Sequence, residues 1–223
     1  MIATMSVSPL LYIIAFGYAM GSTVRVESHT YLEFLLPGLI AMSSMTQAFS
    51  IASEINIARF YWHIFEEFQA APINNFAYVT GEVLAGMTKA LLSACVILLT
   101  GSLFGVVLSM NLMLWLGVLL NSFVFASLAV GIAMLVKSHA DQAMFSSFVI
   151  TPMAFLGGTL FPLDRLPVWA QKILSLLPLT HASKVIRAAA FGESPDLSSF
   201  IILFFTGAAF IFIAFLCVNK AMD

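Results

Sequence analysis

The histidines are the first residues in this sequence whose type and spacing suggest chemistry. His63 and Glu66 have the H-x-x-E spacing that brings two side chains to one face of a helix. A helical metalloprotease site needs a second histidine, as in H-E-x-x-H, and that motif is absent. The four histidines lie in predicted loops or at the ends of apolar stretches, at His29, His63, His139 and His181. We interpret them as interfacial polar residues, not as metal ligands.

The sequence also lacks the motifs for hydrolysis and for nucleotide binding. It contains no G-x-S-x-G nucleophile motif, and no predicted span holds a histidine that could activate a buried serine. The phosphate-binding motif G-x-x-x-x-G-K-[ST] is absent too, so the chain cannot cradle ATP phosphates itself. We therefore predict that the chain is not an enzyme and has no cofactor of its own, and that a separate ATPase is the simplest source of energy.

Uncharged polar residues within the apolar stretches are the remaining candidates. They lie in three stretches, at Ser43, Ser44, Thr46, Gln47, Ser50, Asn121, Ser122, Ser146, Ser147 and Thr151. Such residues either line a translocation path or form hydrogen bonds between helices, each worth about 0.6–2 kcal/mol, and the second interpretation is favoured. The predicted spans have no charge near their centres, which argues against a proton-coupled carrier.

The composition places the chain in a membrane. It is 61% hydrophobic and 9% charged, with a mean hydropathy of +1.02, whereas a soluble domain has about 25% charged residues. The net charge of −2 gives no indication of a nucleic-acid partner. Cys95 and Cys217 lie in apolar runs, so we interpret them as packed free thiols.

Six stretches are long and apolar enough to cross a bilayer, which takes about 20 residues. They are residues 2–20, 34–53, 83–107, 112–136, 142–160 and 198–218. Residues 90–136 carry no charge and are too long for one crossing, so the chain must fold back, most naturally at residues 109–111. The first stretch lacks the features of a cleaved signal peptide. We predict an all-α, polytopic transmembrane domain over residues 1–223.

Two connections between spans have patterns of their own. Residues 54–82 include an amphipathic piece that begins near Phe60 and is stopped by Pro72, after which Asn74 or Asn75 can cap the next helix. Its simplest interpretation is a connector helix on the membrane surface. The other connection, residues 155–187, is called the broken segment here. Its glycines and prolines interrupt an apolar run, which predicts a re-entrant segment covered by protein or water.

The broken segment resembles the signature of ABC-2 type permeases, the membrane subunits of one class of ABC exporters. The matching residues are F-L-G-G at 155–158, F-P-L at 161–163, L-P at 166–167, Trp169, L-P-L-T at 177–180, and Arg187. Residues 31–38, Y-L-E-F-L-L-P-G, also resemble the start of that family's second span. The resemblance covers about residues 5–219.

The resemblance implies three groups of site residues. A cytoplasmic coupling helix between spans two and three docks on the ATPase and corresponds to Phe65, Glu66, Glu67, Phe68 and Pro72. A re-entrant outer segment between spans five and six corresponds to Gly157, Gly158, Phe161, Pro162, Trp169 and Pro178. Spans two and five face the partner protomer, which makes Gln47 and Ser147 the preferred path-lining residues.

The resemblance also implies a function: the permease subunit of an ATP-driven exporter in the inner membrane, with both termini in the cytoplasm. Two permease chains, as a homo- or heterodimer, would assemble in the lipid bilayer with two ATPase chains that bind the ATP. The positive-inside rule does not favour this orientation, because five of the nine basic residues would lie outside, at Arg25, Arg165, Lys172, Lys184 and Arg187.

The cargo implied by the resemblance is a lipid-linked, glycan or drug-like amphipathic molecule, with residues 34–46 closest to the nodulation-factor and drug-export branches. Family members usually carry a cytoplasmic stretch before the first span, and we expect it to be missing from this sequence by truncation or from its gene model. The alternatives are a secondary carrier or channel, which would need a mid-span charge or an inverted repeat, and a membrane scaffold protein without transport.

Overall fold

The computed structural model describes residues 2–20, 25–26, 29–62, 64, 67–68 and 74–222, and within these it is almost entirely helical. In chain order the elements are α1 (Ile2–Met20), β1 (Arg25–Val26), β2 (His29–Thr30), α2 (Tyr31–Phe49), α3 (Ile51–Phe60), α4 (Asn75–Leu103), α5 (Leu112–Leu135), α6 (His139–Phe145), a π-helix (Ser146–Ile150), α7 (Thr151–Leu156), a 3-10 turn (Leu163–Arg165), α8 (Val168–Leu174), α9 (Pro178–Ala190) and α10 (Leu197–Met222). The two short strands pair antiparallel.

Four helical stretches among the described residues are long and apolar enough to cross a membrane. They are Tyr31–Phe60, Asn75–Leu103, Leu112–Leu135 and Leu197–Lys220. The first combines α2 and α3, which only Ser50 separates. The first predicted span is helical over Ile2–Met20, as α1. The fifth is continuously helical over residues 139–156, through α6, the π-helix and α7. The all-helical membrane fold is therefore confirmed, while the count of six spans stays a prediction.

Polar caps set where the helices begin. The hydroxyl of Thr30 accepts from the backbone N–H of Glu33 at 3.4 Å, and the Glu33 carboxylate accepts from the N–H of Thr30 at 2.7 Å, so together they form a capping box at the start of α2. Asn74 caps α4, as predicted, by accepting from the N–H of Phe76 at 3.0 Å. This cap starts α4 at residue 75, earlier than the predicted span at 83, because hydropathy marks only the apolar part of a helix.

Asp196 has the same role at the start of α10. Its carboxylate accepts from the backbone N–H of Ser198 at 3.1 Å and also from the Ser198 hydroxyl. These hydrogen bonds favour the ionised form, so Ser198 holds the pKa of Asp196 below its ordinary value. A negative charge at this position also suits the positive end of the helix dipole.

Helix α2 occupies the centre of the bundle. In the most apolar 18-residue window of Tyr31–Phe60, 78% of the residues are buried, whereas only 22% are buried in the corresponding window of Leu197–Lys220. The hydroxyls of Ser43 and Ser93 are hydrogen-bonded at 2.6 Å across α2 and α4. Asn121 on α5 donates to the Ser44 hydroxyl at 2.8 Å and to the Ala41 carbonyl at 3.0 Å. For these residues the interhelical hydrogen-bond interpretation is confirmed.

The fifth predicted span contains a turn of π-helix at Ser146–Ile150. Pro152 follows in the first turn of α7 and has no N–H to donate to the preceding turn. The N–H of Thr151 bonds to the carbonyl of Ser146, five residues back. The wider turn thus accommodates the proline without ending the helix.

Candidate functional site

The broken segment folds into short helices whose limits follow its prolines and glycines. Gly158 has φ +71°, a left-handed conformation that strongly favours glycine, and it lies two residues after the end of α7. Pro167 precedes the first residue of α8, and Pro178 is the first residue of α9, where its missing N–H has no helical partner to lose. The predicted helix interruptions therefore lie where the sequence indicated them.

Side chains from α2 and α9 donate hydrogen bonds to backbone carbonyls of the broken segment. Arg187 donates to the carbonyl of Gly158 at 2.8 Å, and its guanidinium lies 3.9 Å from the centroid of the Phe34 ring. Ser183 donates to the carbonyl of Gly157 at 2.7 Å. The hydroxyl of Tyr31 donates to the carbonyl of Leu160 at 2.9 Å. The carbonyls of Gly157, Gly158 and Leu160 thus have hydrogen-bond partners within the protein, as buried backbone groups require.

The backbone of α2 touches the broken segment at Gly38. A Cβ atom built on Gly38 would lie 1.9 Å from the carbonyl oxygen of Thr159, which leaves no room for any other residue. Tyr31, Phe34 and Gly38 have the i, i+3, i+7 spacing of one helix face, and all three meet the broken segment. This face of α2 therefore positions the segment.

A small cavity of about 110 Å³ opens beside these contacts. The His29 ring stacks on Phe191 with centroids 3.9 Å apart, and the carboxylate of Glu33 lies 3.8 Å from its Nδ1. The cavity is lined by His29, Phe34, Pro162, Leu163, Asp164, Ser183, Lys184, Arg187 and Phe191. Of the predicted outer residues, Pro162 lies here, Phe161 is half-buried, and Trp169 is 68% exposed.

A second polar cluster lies between α3 and the middle of α4. The end of the bundle beyond it, called the connector end, is where Phe60, Asn75, Leu135 and Lys220 lie. The ammonium of Lys89 forms an ion pair with the carboxylate of Glu54, joining α4 to α3. Only 11% of the Lys89 side chain is exposed, against 55% for Glu54.

Lys89 lies in a helix that is longer than the predicted span. The predicted spans have no central charge, and the span at 83–107 places Lys89 near its inner end. Lys89 lies midway along the 29 residues of α4, because the Asn74 cap extends that helix beyond its apolar part. Its charge is paired with Glu54 on the neighbouring helix, and Glu82 interacts with both.

Side-chain amides also link helices near the connector end. The side-chain amides of Asn56 on α3 and Gln142 on α6 are hydrogen-bonded at 2.6 Å, and both side chains are buried. Asn75 donates to Asn219 at 2.8 Å, which links the start of α4 to the end of α10. Sequence reasoning missed Asn56 and Gln142. The signal that could have found them is that each is an amide residue at the edge of a predicted apolar span.

Breaking the Glu54–Lys89 pair from one side is expected to destabilise the protein. Glu54→Gln removes the ion-pair partner of a buried ammonium, and we expect a loss of about 1–3 kcal/mol, the range for a buried polar group deprived of its partner. Thermal unfolding in detergent measures the loss. The double variant Glu54→Gln, Lys89→Met is the matched control and should recover most of it, because apolar replacement of a buried pair is often neutral. A loss of stability in the double variant equal to the sum of the losses in the two single variants would contradict this pairing.

Only some of the other predicted site residues are among the described residues. Gln47 is half-buried on α2, and Ser147 is exposed on the π-helix. Glu67 is exposed, and Phe68 packs against Tyr78 with ring centroids 5.5 Å apart. Phe65, Glu66 and Pro72 lie outside the described residues, as does most of the predicted coupling helix.

The sequence is similar to known membrane permeases over most of its length. Residues 1–191 match the family described as ABC-2 type transporter. The chain is 32% identical over 188 residues to Nodulation protein J of Rhizobium leguminosarum bv. viciae, covering 83% of this chain and 73% of that protein. It is 29% identical over 217 residues to the inner membrane transport permease YadH of Escherichia coli K12, covering 94% of this chain and 84% of YadH.

Proposed function

The chain belongs to the ABC-2 type transporter family, and from this premise we propose that it is the permease subunit of an ATP-driven exporter. The observation that carries the proposal is its similarity to YadH, a transport permease of the inner membrane, over 94% of the chain. Two permease chains form the path, and two separate ATPase chains bind and hydrolyse the ATP. The cargo is a lipid-linked, glycan or drug-like amphipathic molecule.

The polar surface in the last turn of α2 supports a path between two permease chains. Helix α2 is otherwise largely buried, but Thr46 is exposed and Gln47 is half-buried. Ser147 on the π-helix is exposed as well, next to the apolar Phe148, which is 75% exposed. Polar and apolar groups side by side suit an amphipathic cargo. We propose that Gln47 and Ser147 line the path and that both termini lie in the cytoplasm.

Co-purification with an ATPase tests the proposed function. The chain is expressed with a candidate ABC ATPase subunit from the same genome, purified by a tag on the permease, and reconstituted in lipid vesicles. We expect the two proteins to elute together and ATP hydrolysis to depend on the permease. Flux of a solute that requires an ion gradient and no ATP would instead indicate a secondary carrier. An ATPase that neither binds nor responds would contradict the proposal.

Charge reversal in the connection between α3 and α4 is expected to uncouple transport. We propose that this connection docks on the ATPase through Glu66 and Glu67, and reversal by Glu66→Lys or Glu67→Lys would repel the groups that receive them. The expected result is loss of ATPase binding and of export, with normal membrane insertion. Pull-down of the ATPase and ATP-dependent export measure it.

Glu193→Lys is the matched control for these charge reversals, because Glu193 is an exposed carboxylate at the opposite end of the bundle. It should leave ATPase binding unchanged. If the Glu66→Lys and Glu67→Lys variants both bind the ATPase and export as the wild type does, this connection does not couple the permease to the ATPase.

A further inference from the structure

Helix α6 has a single buried side chain, and that side chain is polar. Of its seven residues only Gln142 is buried, with 2% of its surface exposed. The next two residues, Ala143 and Met144, are exposed. The π-helix that follows also has one buried residue, Ile150, among its five. A buried glutamine therefore anchors the first half of the predicted fifth span.

This glutamine connects α6 to α3. The side-chain amide of Gln142 lies 2.6 Å from the amide of Asn56 and 2.7 Å from the hydroxyl of Ser53. An apolar contact accompanies these hydrogen bonds, since Phe145 stacks on Phe49 with ring centroids 5.8 Å apart. Hydrogen bonds weaken steeply when their geometry changes, whereas apolar side chains can slide past one another. The amide contact therefore fixes the position of α6 relative to α3.

The two helices joined by this contact lead to different parts of the proposed transporter. Helix α3 ends at Phe60, where the connection that we propose docks on the ATPase begins. Helix α6 continues without a break into the π-helix, which carries the candidate path residue Ser147. Turns of π-helix are frequent at functional sites. Gln142 thus lies between the helix that leaves for the ATPase and the helix that carries the path.

We propose that Gln142 is the positioning residue that transmits a movement of α3 to α6 and the π-helix. This inference rests on the proposed function, because it takes the connection after α3 as the place where the ATPase acts. A displacement of α3 carries Ser53 and Asn56 with it. The amide of Gln142 follows, because a buried polar group that loses its partners is costly. Ser147 is displaced as a result.

Weakening α3 tests this link in the purified permease alone, without an ATPase or a cargo. Ala58→Gly lowers the helical preference of α3, and hydrogen–deuterium exchange in detergent measures the protection of each helix. With Gln142 present, we expect Ala58→Gly to speed exchange in α3 and, by about fivefold, in α6, the lower end of the range for coupled sites. In the Gln142→Leu background, Ala58→Gly should speed exchange in α3 alone.

The response of α6 to Ala58→Gly separates transmission from a purely structural role. Gln142→Leu by itself loosens α6 in either case, so the quantity compared is the further change that Ala58→Gly causes. Phe145→Leu is the matched control on the same helix, because it removes the ring contact and keeps the amide contact, and α6 should still respond. The exchanged pair Asn56→Gln, Gln142→Asn keeps two amides between the helices and should restore the response.

Three results would overturn the proposal. The first is an α6 that does not respond to Ala58→Gly when Gln142 is present, and the second is an equal response in the Gln142→Leu background. The third is a loss of response in Phe145→Leu as large as that in Gln142→Leu, which would assign the transmission to apolar packing.

The complex with the ATPase extends the test to the transport cycle. Trapping with ATP and vanadate should change exchange in α3 of both the wild type and Gln142→Leu, but in α6 of the wild type alone. An equal change in α6 of Gln142→Leu would contradict the proposal. An ATPase that does not bind would contradict the proposed function alone, because the response of α6 to α3 is measured without it.

Discussion

Gly38→Ala is expected to abolish the native packing between α2 and the broken segment. The added methyl group would lie 1.9 Å from the carbonyl oxygen of Thr159, and a backbone atom cannot move aside as a flexible side chain can. Overpacking of a core usually costs about 1–3 kcal/mol of stability. We expect the loss caused by this collision to reach or exceed the upper value of that range. Thermal unfolding of the purified protein, or loss of the monodisperse peak in size-exclusion chromatography, measures it.

The matched control for Gly38 is Gly81, which lies in α4. A Cβ atom at Gly81 meets nothing within 4 Å, so Gly81→Ala adds the same methyl group without a collision. It should be neutral or stabilising by about 0.5–1 kcal/mol, because alanine favours a helix more than glycine does. Equal Tm values for the two variants would show that the close approach at Thr159 does not limit stability.

Arg187→Lys is expected to be the second most damaging change, although it keeps the charge. A lysine loses the planar guanidinium that bonds to the Gly158 carbonyl and stacks on Phe34. The hydrogen bond from a charged donor is worth about 1.5–3 kcal/mol, and the ring contact about 0.5–2 kcal/mol. We expect a loss of about 2–4 kcal/mol in total, with faster proteolysis within the broken segment.

Lys184→Met provides the comparison for Arg187, since Lys184 is an exposed basic residue on the same helix. It should leave Tm and proteolysis close to wild type. If Arg187→Lys were equally mild, the segment would be held by Tyr31 and Ser183 without the arginine. An Arg187→Met variant as stable as Arg187→Lys would show that the lysine charge contributes nothing there.

Much of the helical pattern could be predicted from the sequence because its signals are local. Long apolar stretches mark helices, Asn74 is a typical cap, and Pro167 and Pro178 limit short helices wherever they occur. The position of the broken segment follows from these residues alone. The depth at which it lies in a bilayer is not local information, and the re-entrant interpretation stays a prediction.

The sequence could not reveal how polar residues pair across helices. Lys89 and Glu54 are 35 positions apart, and only the packing of α4 on α3 brings them together. Asn56 and Gln142 meet from α3 and α6 for the same reason. The π-turn at Ser146–Ile150 is equally hidden, because Pro152 indicates a disturbance of the helix but not whether it widens or breaks.

The face of α2 formed by Tyr31, Phe34 and Gly38 has a mechanical consequence. Helices α2 and α3 continue each other for 30 residues, a stiff rod of about 45 Å. One extremity of this rod is clamped to the broken segment, and the other carries Glu54 and Asn56. We therefore expect a tilt imposed near Phe60 to displace the carbonyls of Gly158, Thr159 and Leu160 at the other extremity.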